Sequence, residues 1–402
     1  MDSEAATAAA VTEAASAGEP LLVQGNGTKA AMLRPVQAAR MLSTRDLCGI
    51  TLYSPKELII SARAGTPLPV IEAALAESGQ HLIAEPPTLS LPHGPDGTEA
   101  QGLPQTLGGV VATNLSGPRR VAWGAMRDHV MGVRMVNGRG EIIHAGGRVL
   151  KNVTGLDLCK LLSGSHGTLG VITEVTLKVL PAPESSGTVV LPAPDPASGV
   201  AALSAALGSP YGVSAAAWLP ADAAARLPSL APMGCAVALM RIEDVADSVR
   251  YRTERLRAEL GGEVIGDDPS RAVWRAVRDA EPLWDGAPDA AAAVWRVSVR
   301  PSAGPAVLAI VAGSGITRGF LDWGGGLVWL AGRADTATHQ AVESAARASG
   351  GTWTLMAAPA TLRSAVRVVP DEPPALAAIT RRVKAALDPR GILNPGRIYA
   401  GL

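Results

Sequence analysis

Alternation of apolar and polar residues is cleanest over 171–180, where every second residue from Val171 onward lies on one side. This pattern predicts a half-buried antiparallel strand. The same alternation occurs over 58–64. The Asn-Gly-Arg-Gly sequence at 137–140, between the runs 130–136 and 141–145, predicts a hairpin. Helices are predicted over five stretches, 5–17, 67–79, 244–260, 270–280 and 374–387.

These elements predict an α+β protein, and its 402 residues are enough for more than one hydrophobic core. The first domain is expected to have two lobes, over about 1–85 and 103–180. Several prolines make 184–200 a predicted linker. The expected domain limits are 1–183 for the first domain, 184–373 for a second α+β domain and 374–402 for a terminal helix and tail.

Composition and charge exclude several classes of protein. The formal net charge is zero and there is no basic block, which argues against nucleic acid or an anionic membrane as the main partner. The three cysteines are far apart, so they form neither a disulfide framework nor a metal or iron–sulfur motif. The Ala-rich N-terminus has no positive region and no apolar run spans a bilayer, so we expect a soluble chain in a reducing cytoplasm.

Three glycine-rich segments adjoin predicted strands. The first, Gln24 to Thr28, follows a short apolar strand at 21–23. The second runs from Thr106 to Asn114, and the third runs from Gly164 to Ile172 into the alternating strand. Glycine lets backbone N–H groups approach a ligand closely, and hydroxyl and amide side chains add further donors. Each segment taken alone is more often an ordinary turn.

Four motifs occur in one order: V-Q-G-N-G-T-K at 23–29, T-L-G-G-V-V-A-T-N-L-S-G at 106–117, G-S-H-G-T-L-G-V-I-T at 164–173 and L-D-P-R-G-I-L-N-P-G-R at 387–397. Together they resemble the FAD-linked oxidases of the vanillyl-alcohol oxidase type, which have a PCMH-type FAD-binding domain. Within that group the FAD-binding subunits of bacterial glycolate oxidases are the most similar. This finer resemblance comes from G-P-R-R at 117–120, W-G-A-M-R-D-H-V-M-G-V-R at 123–134 and W-R-V-S-V at 295–299.

The resemblance implies that FAD lies in a cleft between the two N-terminal lobes, with the second domain as a cap and the tail returning to the FAD-binding domain. The first glycine segment would hold the pyrophosphate, the second would lie along the dinucleotide, and the third would close around the cofactor. In the tail, Asn394 and Arg397 would approach the flavin region. The implied cofactor-binding residues are Gln24, Gly25, Asn26, Gly27, Thr28, Thr106, Gly108, Gly109, Ala112, Asn114, Gly164, His166, Gly167, Thr168, Gly170 and Ile172.

The chain departs from the family pattern in two places. Several relatives attach the flavin through a histidine in the first loop, whereas this chain has Gly27-Thr28-Lys29 there, which predicts non-covalent FAD. Related 2-hydroxyacid dehydrogenases carry a cluster of histidines in the cap. Here the cap contains His339 alone, which we interpret as a surface residue, so no metal site is expected.

The other polar candidates have more than one interpretation, and none of them identifies a catalytic residue. His166 is the histidine inside a cofactor loop and could touch the cofactor. Arg119-Arg120 and Arg127-Asp128 could orient a carboxylate or the flavin, or could form a salt bridge between lobes. Arg296 and Arg300 alternate along a predicted strand, which favours a solvated face.

For function, the resemblance implies an FAD-binding subunit of a glycolate oxidase, which oxidises glycolate to glyoxylate. Because the chain has no iron–sulfur motif, electrons would pass to a separate iron–sulfur subunit, and a second flavoprotein subunit would complete the complex. The complex would be cytoplasmic or peripheral at the inner membrane. Three alternatives stay open: a free-standing FAD oxidase or dehydrogenase of another alcohol or 2-hydroxy acid, a non-catalytic electron-transfer or structural flavoprotein, and a scaffold without cofactor.

Overall fold

The computed structural model describes residues 1–88, 102–147, 156–285 and 292–402, and it confirms the α+β class. The helices are α1 (Glu4–Ala17), α2 (Leu68–Ala76), α3 (Leu107–Thr113), α4 (Arg120–Trp123), α5 (Leu158–Leu162), α6 (Pro196–Leu207), α7 (Ala221–Ala225), α8 (Ala246–Leu260), α9 (Asp267–Arg278), α10 (Gly304–Val311), α11 (Thr336–Ala348), α12 (Ala360–Ala365) and α13 (Pro374–Leu387). The strands are β1 (Leu21–Gln24), β2 (Arg40–Ser43), β3 (Ile50–Ser54), β4 (Ile59–Arg63), β5 (Gln80–His81), β6 (Val130–Val136), β7 (Ile142–Gly146), β8 (Val171–Lys178), β9 (Leu180–Pro181), β10 (Ser185–Pro192), β11 (Ala215–Leu219), β12 (Val237–Asp244), β13 (Glu263–Gly266), β14 (Ala292–Ser298), β15 (Ile316–Asp322), β16 (Leu327–Arg333) and β17 (Thr352–Ala357). Among these helices, none combines the length and the apolar character that crossing a bilayer requires.

A five-stranded antiparallel sheet forms the centre of the N-terminal domain, with strand order β3–β4–β8–β6–β7. The central strand β8 is the one predicted from alternation, and β6 and β7 form the predicted hairpin. Helices α2 and α3 pack against the sheet, where Ile71, Leu75 and Val110 join Val175 and Leu177 in one hydrophobic core.

The two predicted lobes share this sheet. β3 and β4 belong to the segment assigned to the first lobe, yet β4 pairs with β8 so that Ile60 lies opposite Leu177 and Ala62 lies opposite Val175. Burial of these apolar pairs stabilises a pairing between distant parts of the chain, which a local sequence pattern does not reveal. The division of the chain near 85–103 is therefore not a division between sheets.

A smaller layer consists of α1, the parallel pair β1–β2 and the end of the chain. Leu21 of β1 forms a parallel bridge with Leu393. Val11 of α1 packs in the same apolar core, which reaches the large sheet at Val136 and Val171. The predicted return of the tail to the N-terminal domain is confirmed.

The cap domain contains an eight-stranded antiparallel sheet with strand order β13–β10–β12–β11–β15–β16–β14–β17. Helices α6, α8, α9, α10 and α11 contact it. The linker predicted for 184–200 is wrong, because β10 is an inner strand of this sheet and α6 begins at Pro196. Pro192 ends the strand and Pro196 stands in the first helical turn, where a missing N–H is tolerated. The domain limits themselves stay a prediction.

A buried network of two arginines and two glutamates joins the cap to the N-terminal domain. The Arg119 guanidinium donates to the two carboxylate oxygens of Glu243 at 2.7 and 3.1 Å, and Arg241 donates to those of Glu85 at 2.9 Å each. Burial raises the pKa of Glu243, but Arg241 and Arg119 outweigh it and bring the value down to about 2. Arg119 therefore forms salt bridges across the domain interface, with Glu243, and also between the predicted lobes, with Glu85 at 3.9 Å.

Helix α13 covers the predicted range, and its Lys384 anchors the tail. The Lys384 ammonium donates to the Asp388 carboxylate at 2.7 Å and to the carbonyl oxygens of Thr168 and Leu393 at 2.7 and 2.9 Å. Asp388 accepts hydrogen bonds from the N–H groups of Ile392 and Leu393 at 3.1 and 2.8 Å. Both charged side chains are almost fully buried, so the loss of one leaves the other without a counter-charge.

The substitution Lys384→Met should lower the free energy of unfolding by about 3–5 kcal/mol, because Asp388 would keep a buried charge without its partner. Urea denaturation of the cofactor-free protein, followed by circular dichroism, measures this loss. Lys160→Met is the matched control, since Lys160 forms an exposed ion pair with Asp157 at 2.9 Å and should leave stability nearly unchanged. Equal losses in both variants would contradict the role of the buried pair.

Candidate functional site

The three glycine segments meet at one cleft of about 810 Å³, a volume that includes space open to solvent. The end of β1, the helix α3 and the start of β8 form its walls. The sequence-predicted residues that line it are Gln24, Gly25, Asn26, Gly27, Thr28, Thr106, Gly108, Gly109, Ala112, His166, Gly167, Gly170 and Ile172. The lining also includes Lys29, Thr44, Thr113, Asn394 and Arg397.

Three sequence-predicted residues are not brought to this cleft. Asn114 ends α3, and its side-chain oxygen accepts a hydrogen bond from the Arg127 N–H at 3.0 Å. Gly164 and Thr168 line a separate groove beside α13. Neighbouring residues in a turn face different directions, so closeness in sequence to the glycines does not decide which residues face a ligand.

Small residues are required where the first loop meets the second, and where the second loop meets the residue that follows β4. A Cβ at Gly25 would lie 2.4 Å from the Thr106 hydroxyl oxygen, and a Cβ at Gly108 would lie 2.7 Å from the Ala64 side chain. Asn26 fixes the first loop by donating a hydrogen bond to the Pro104 carbonyl at 2.7 Å. The two loops therefore form one wall with little side-chain bulk.

The C-terminal tail ties the first loop to the third. The Asn394 side-chain oxygen accepts a hydrogen bond from the Val23 N–H at 2.7 Å, and its amide nitrogen donates to the carbonyls of Val23 and His166 at 3.1 and 2.8 Å. Gly167 has a φ of +73°, and a Cβ there would lie 2.8 Å from the Asn394 amide nitrogen. Burial and the neighbouring Arg397 lower the pKa of His166 to about 3, so its imidazole is neutral at physiological pH.

The charged groups of the cleft lining are cations. Lys29 and Arg397 line it, and across the described part of the chain no aspartate or glutamate does. The Arg397 guanidinium donates to the carbonyls of Lys29, Arg34 and Ala30 at 2.9, 3.0 and 3.3 Å. Sequence reasoning did not place Lys29 among the site residues, although it is the only charged residue of the motif at 23–29.

These features fit the FAD that the sequence motifs imply. Two phosphates need converging donors and positive charge, and a flat ring system needs walls without bulky side chains. The cleft provides glycine walls and two cations without a lining carboxylate in the described residues. When bound, FAD supplies two-electron redox chemistry that no side chain offers. Thr28 has no imidazole for a covalent link, and non-covalent binding stays a prediction.

The structure corrects two interpretations of cap residues. His339 is not a surface residue, because it is 1% exposed and its Nδ1 accepts a hydrogen bond from the Trp295 indole at 3.1 Å. Arg296 is not on a solvated face, because its guanidinium lies 5.1 Å from the ring centres of Trp323 and Trp329. Burial and the nearby Arg120 lower the pKa of Arg296 to about 10. Both residues lie on sides of their elements that the folded cap covers.

The fold and the cleft define an FAD-binding flavoprotein, and comparison with known proteins agrees. Residues 1–146 match the family model for the FAD binding domain, and residues 371–398 match the model for the C-terminal domain of FAD linked oxidases. A solved structure of alkyldihydroxyacetonephosphate synthase has a TM-score of 0.66 at 16% identity, with 96% of this chain and 74% of that chain covered. At this identity the likeness shows the fold alone.

The glycolate oxidase subunit GlcE of Escherichia coli K12 is 35% identical over 396 residues, which covers 98% of this chain and 96% of that protein. The glycolate oxidase subunit GlcD of Bacillus subtilis is 42% identical over 85 residues, or 21% of this chain and 18% of that protein. The chain therefore belongs to the FAD-linked oxidase family. Its cofactor is FAD, and it is an FAD-dependent oxidoreductase by class.

The substitution Gly167→Ala should weaken FAD binding by about tenfold or more, because it adds strain at a positive φ and pushes against Asn394. Titration of the cofactor-free protein with FAD, followed by the quenching of flavin fluorescence, measures the affinity. Gly18→Ala is the matched control, since Gly18 has a φ of +69° with nothing within 4 Å of an added Cβ. A wild-type affinity in Gly167→Ala would contradict the close approach of loop and tail.

Proposed function

We propose that this chain is the FAD-binding subunit of a glycolate oxidase and takes part in the oxidation of glycolate to glyoxylate. The similarity to GlcE over 98% of the chain is the observation that carries the proposal. The reaction removes a hydride equivalent from the α-carbon and the hydroxyl proton, so two electrons and two protons leave the substrate. FAD in the glycine-lined cleft would accept the electron pair.

Two arginines at the domain interface support a substrate that has a carboxylate. Arg120 and Arg296 lie 4.4 and 5.1 Å from the ring centre of Trp323, whose indole N–H donates to the Gly117 carbonyl at 3.1 Å. Neither guanidinium forms a hydrogen bond or ion pair with another residue of the described ranges. Arginine binds carboxylates through paired N–H donors, so a small 2-hydroxy acid would satisfy donors that the residues of the described ranges leave free.

The small number of cysteines in the chain supports its assembly with other subunits. Iron–sulfur clusters need several cysteine ligands. The three cysteines differ in their surroundings: Cys48 is exposed, Cys159 is buried and Cys235 is half-buried. We therefore propose that the electrons pass to a separate iron–sulfur subunit, and that a second flavoprotein subunit completes a complex in the cytoplasm or at the inner membrane. The relatives GlcE and GlcD are both named as subunits of glycolate oxidase.

A second candidate function is a non-catalytic flavoprotein subunit that relays electrons. The cap has one histidine in its sequence, His339, and the hydrogen bond from Trp295 and its burial remove it from substrate chemistry. A partner subunit would then supply the proton acceptor for the hydroxyl group. The two candidates differ in where glycolate binds, which can be measured.

The FAD-loaded chain alone should show little bleaching of its flavin band when mixed anaerobically with glycolate. The complex reconstituted with the second flavoprotein and the iron–sulfur protein should bleach on the order of a second or less. Stopped-flow absorbance follows both reactions. Rapid bleaching of the isolated chain would show a free-standing enzyme and would contradict the subunit proposal.

In the reconstituted complex, Arg296→Met should raise the KM for glycolate by about tenfold or more with kcat nearly unchanged, because a carboxylate contact would be lost. Steady-state kinetics under saturating acceptor measures both constants. Arg300→Met is the matched control, since Arg300 is exposed just beyond β14. An unchanged KM in both variants would favour the relay function and contradict a substrate site beside Arg296.

A further inference from the structure

One N–H donor of the Lys29 ammonium group has no acceptor among the described residues. Its ammonium nitrogen donates to the Gln105 side-chain oxygen at 2.9 Å and lies 3.3 Å from the Thr28 hydroxyl oxygen. Both partners are neutral, and a lysine ammonium has three N–H donors. The side chain also lines the cleft where the three glycine segments meet. The third donor is therefore available to a ligand with a strong acceptor.

Among the residues that the structure describes, no anionic side chain lines the cleft beside Lys29. Arg397 and Arg363 point to backbone carbonyls, among them that of Ala30, and Arg45 donates to the Asn26 side chain at 3.2 Å. His166 is neutral, because burial and Arg397 lower its pKa to about 3. A lysine charge that is buried without a counter-ion is costly, so the site favours an anionic occupant.

We propose that Lys29 is a cofactor-binding residue, whose ammonium group binds the diphosphate of FAD. Of the groups in FAD, the diphosphate alone carries full negative charge. Lys29 directly follows the first loop, where Gly25 and Gly27 permit the close approach of a ligand. This inference rests on FAD binding in the cleft and is independent of the substrate. The sequence alone gave Lys29 no role.

The same geometry makes FAD binding pH-dependent. Burial lowers the pKa of Lys29 to about 7, and a bound diphosphate would favour the charged form and raise it again. The affinity should therefore be highest below pH 7 and fall by up to about tenfold per pH unit above it, until the pKa of the complex is reached. His166 is neutral across this range, and Arg397, with a pKa of about 10, stays charged up to pH 9.

The test compares three compounds that share parts of FAD. FAD, ADP-ribose (the diphosphate without the flavin) and riboflavin (the flavin without the diphosphate) are titrated into wild type and Lys29→Met between pH 6 and 9. At pH 6 the variant should bind FAD and ADP-ribose about ten- to a hundredfold more weakly, by the same factor, with riboflavin unchanged. Its affinities should no longer depend on pH. Lys29→Arg should restore part of the affinity without the pH dependence.

Lys56→Met is the control for the loss of one positive charge, since Lys56 is exposed in the turn after β3, and it should leave all three affinities unchanged. Unchanged ADP-ribose binding in Lys29→Met would overturn the proposal. A selective loss of riboflavin binding would also overturn it, because the ammonium would then serve the flavin ring.

If Lys29→Met does not fold, a measurement on the wild type alone still tests the proposal. Calorimetry of FAD binding at pH 8 in two buffers of different ionisation enthalpy should reveal the uptake of close to one proton. No proton uptake would contradict the proposal. These experiments measure binding and not oxidation, so a failure of glycolate oxidation would leave their outcome unaffected.

Discussion

The side-chain amide of Asn394 is the contact on which the cofactor cleft depends. One amide accepts from the Val23 N–H and donates to the carbonyls of Val23 and His166, so it joins the first loop, the third loop and the tail. An amide can accept and donate at once, as a neighbouring strand would. The tail reaches this position because the buried Lys384–Asp388 pair fixes the turn after α13. The walls of the cleft are thus held by residues more than 200 positions away in sequence.

At the domain interface, two arginines form ion pairs with glutamates, whereas the guanidinium groups of two others lie against an aromatic ring. Arg119 and Arg241 are satisfied by Glu243 and Glu85, in a network that fixes the cap on the N-terminal domain. Arg120 follows Arg119 in the sequence, and Arg296 lies near Arg120 in the fold. The guanidinium groups of Arg120 and Arg296 contact the indole of Trp323 instead of a carboxylate of the described residues. A rigid network beside donors that the described residues leave free is the arrangement that pre-organised binding of an anion requires. The same contrast occurs in the cleft, where Arg397 donates to carbonyls and Lys29 keeps one donor that no described residue accepts.

The errors of the sequence interpretation concern one proline-rich stretch and two polar side chains. The stretch 184–200 contains prolines, but they stand at the end of β10 and in the first turn of α6, so the residues that precede Pro192 could still pair inside the sheet. His339 has polar neighbours along the chain, and Arg296 alternates with Arg300 on a predicted strand, so both are predicted to be exposed, yet the packing of α11 and of the cap sheet covers them. Exposure depends on what packs against an element, and polar neighbours in sequence are a weak guide to it.

The sequence by itself determined the periodic elements and the family. Alternation identified β8, the Asn-Gly turn identified the β6–β7 hairpin, helical spacing identified α13, and the order of four short motifs identified an FAD-linked oxidase. These signals are local, because a strand, a helix or a tight turn constrains residues only a few positions apart. Tertiary structure alone decided that β4 joins β8, that Asn394 closes the loops, and that Lys29 faces a cleft to which the described residues contribute no anion. Each of these depends on residues far apart in the chain, whose contacts are set by the packing of the whole protein.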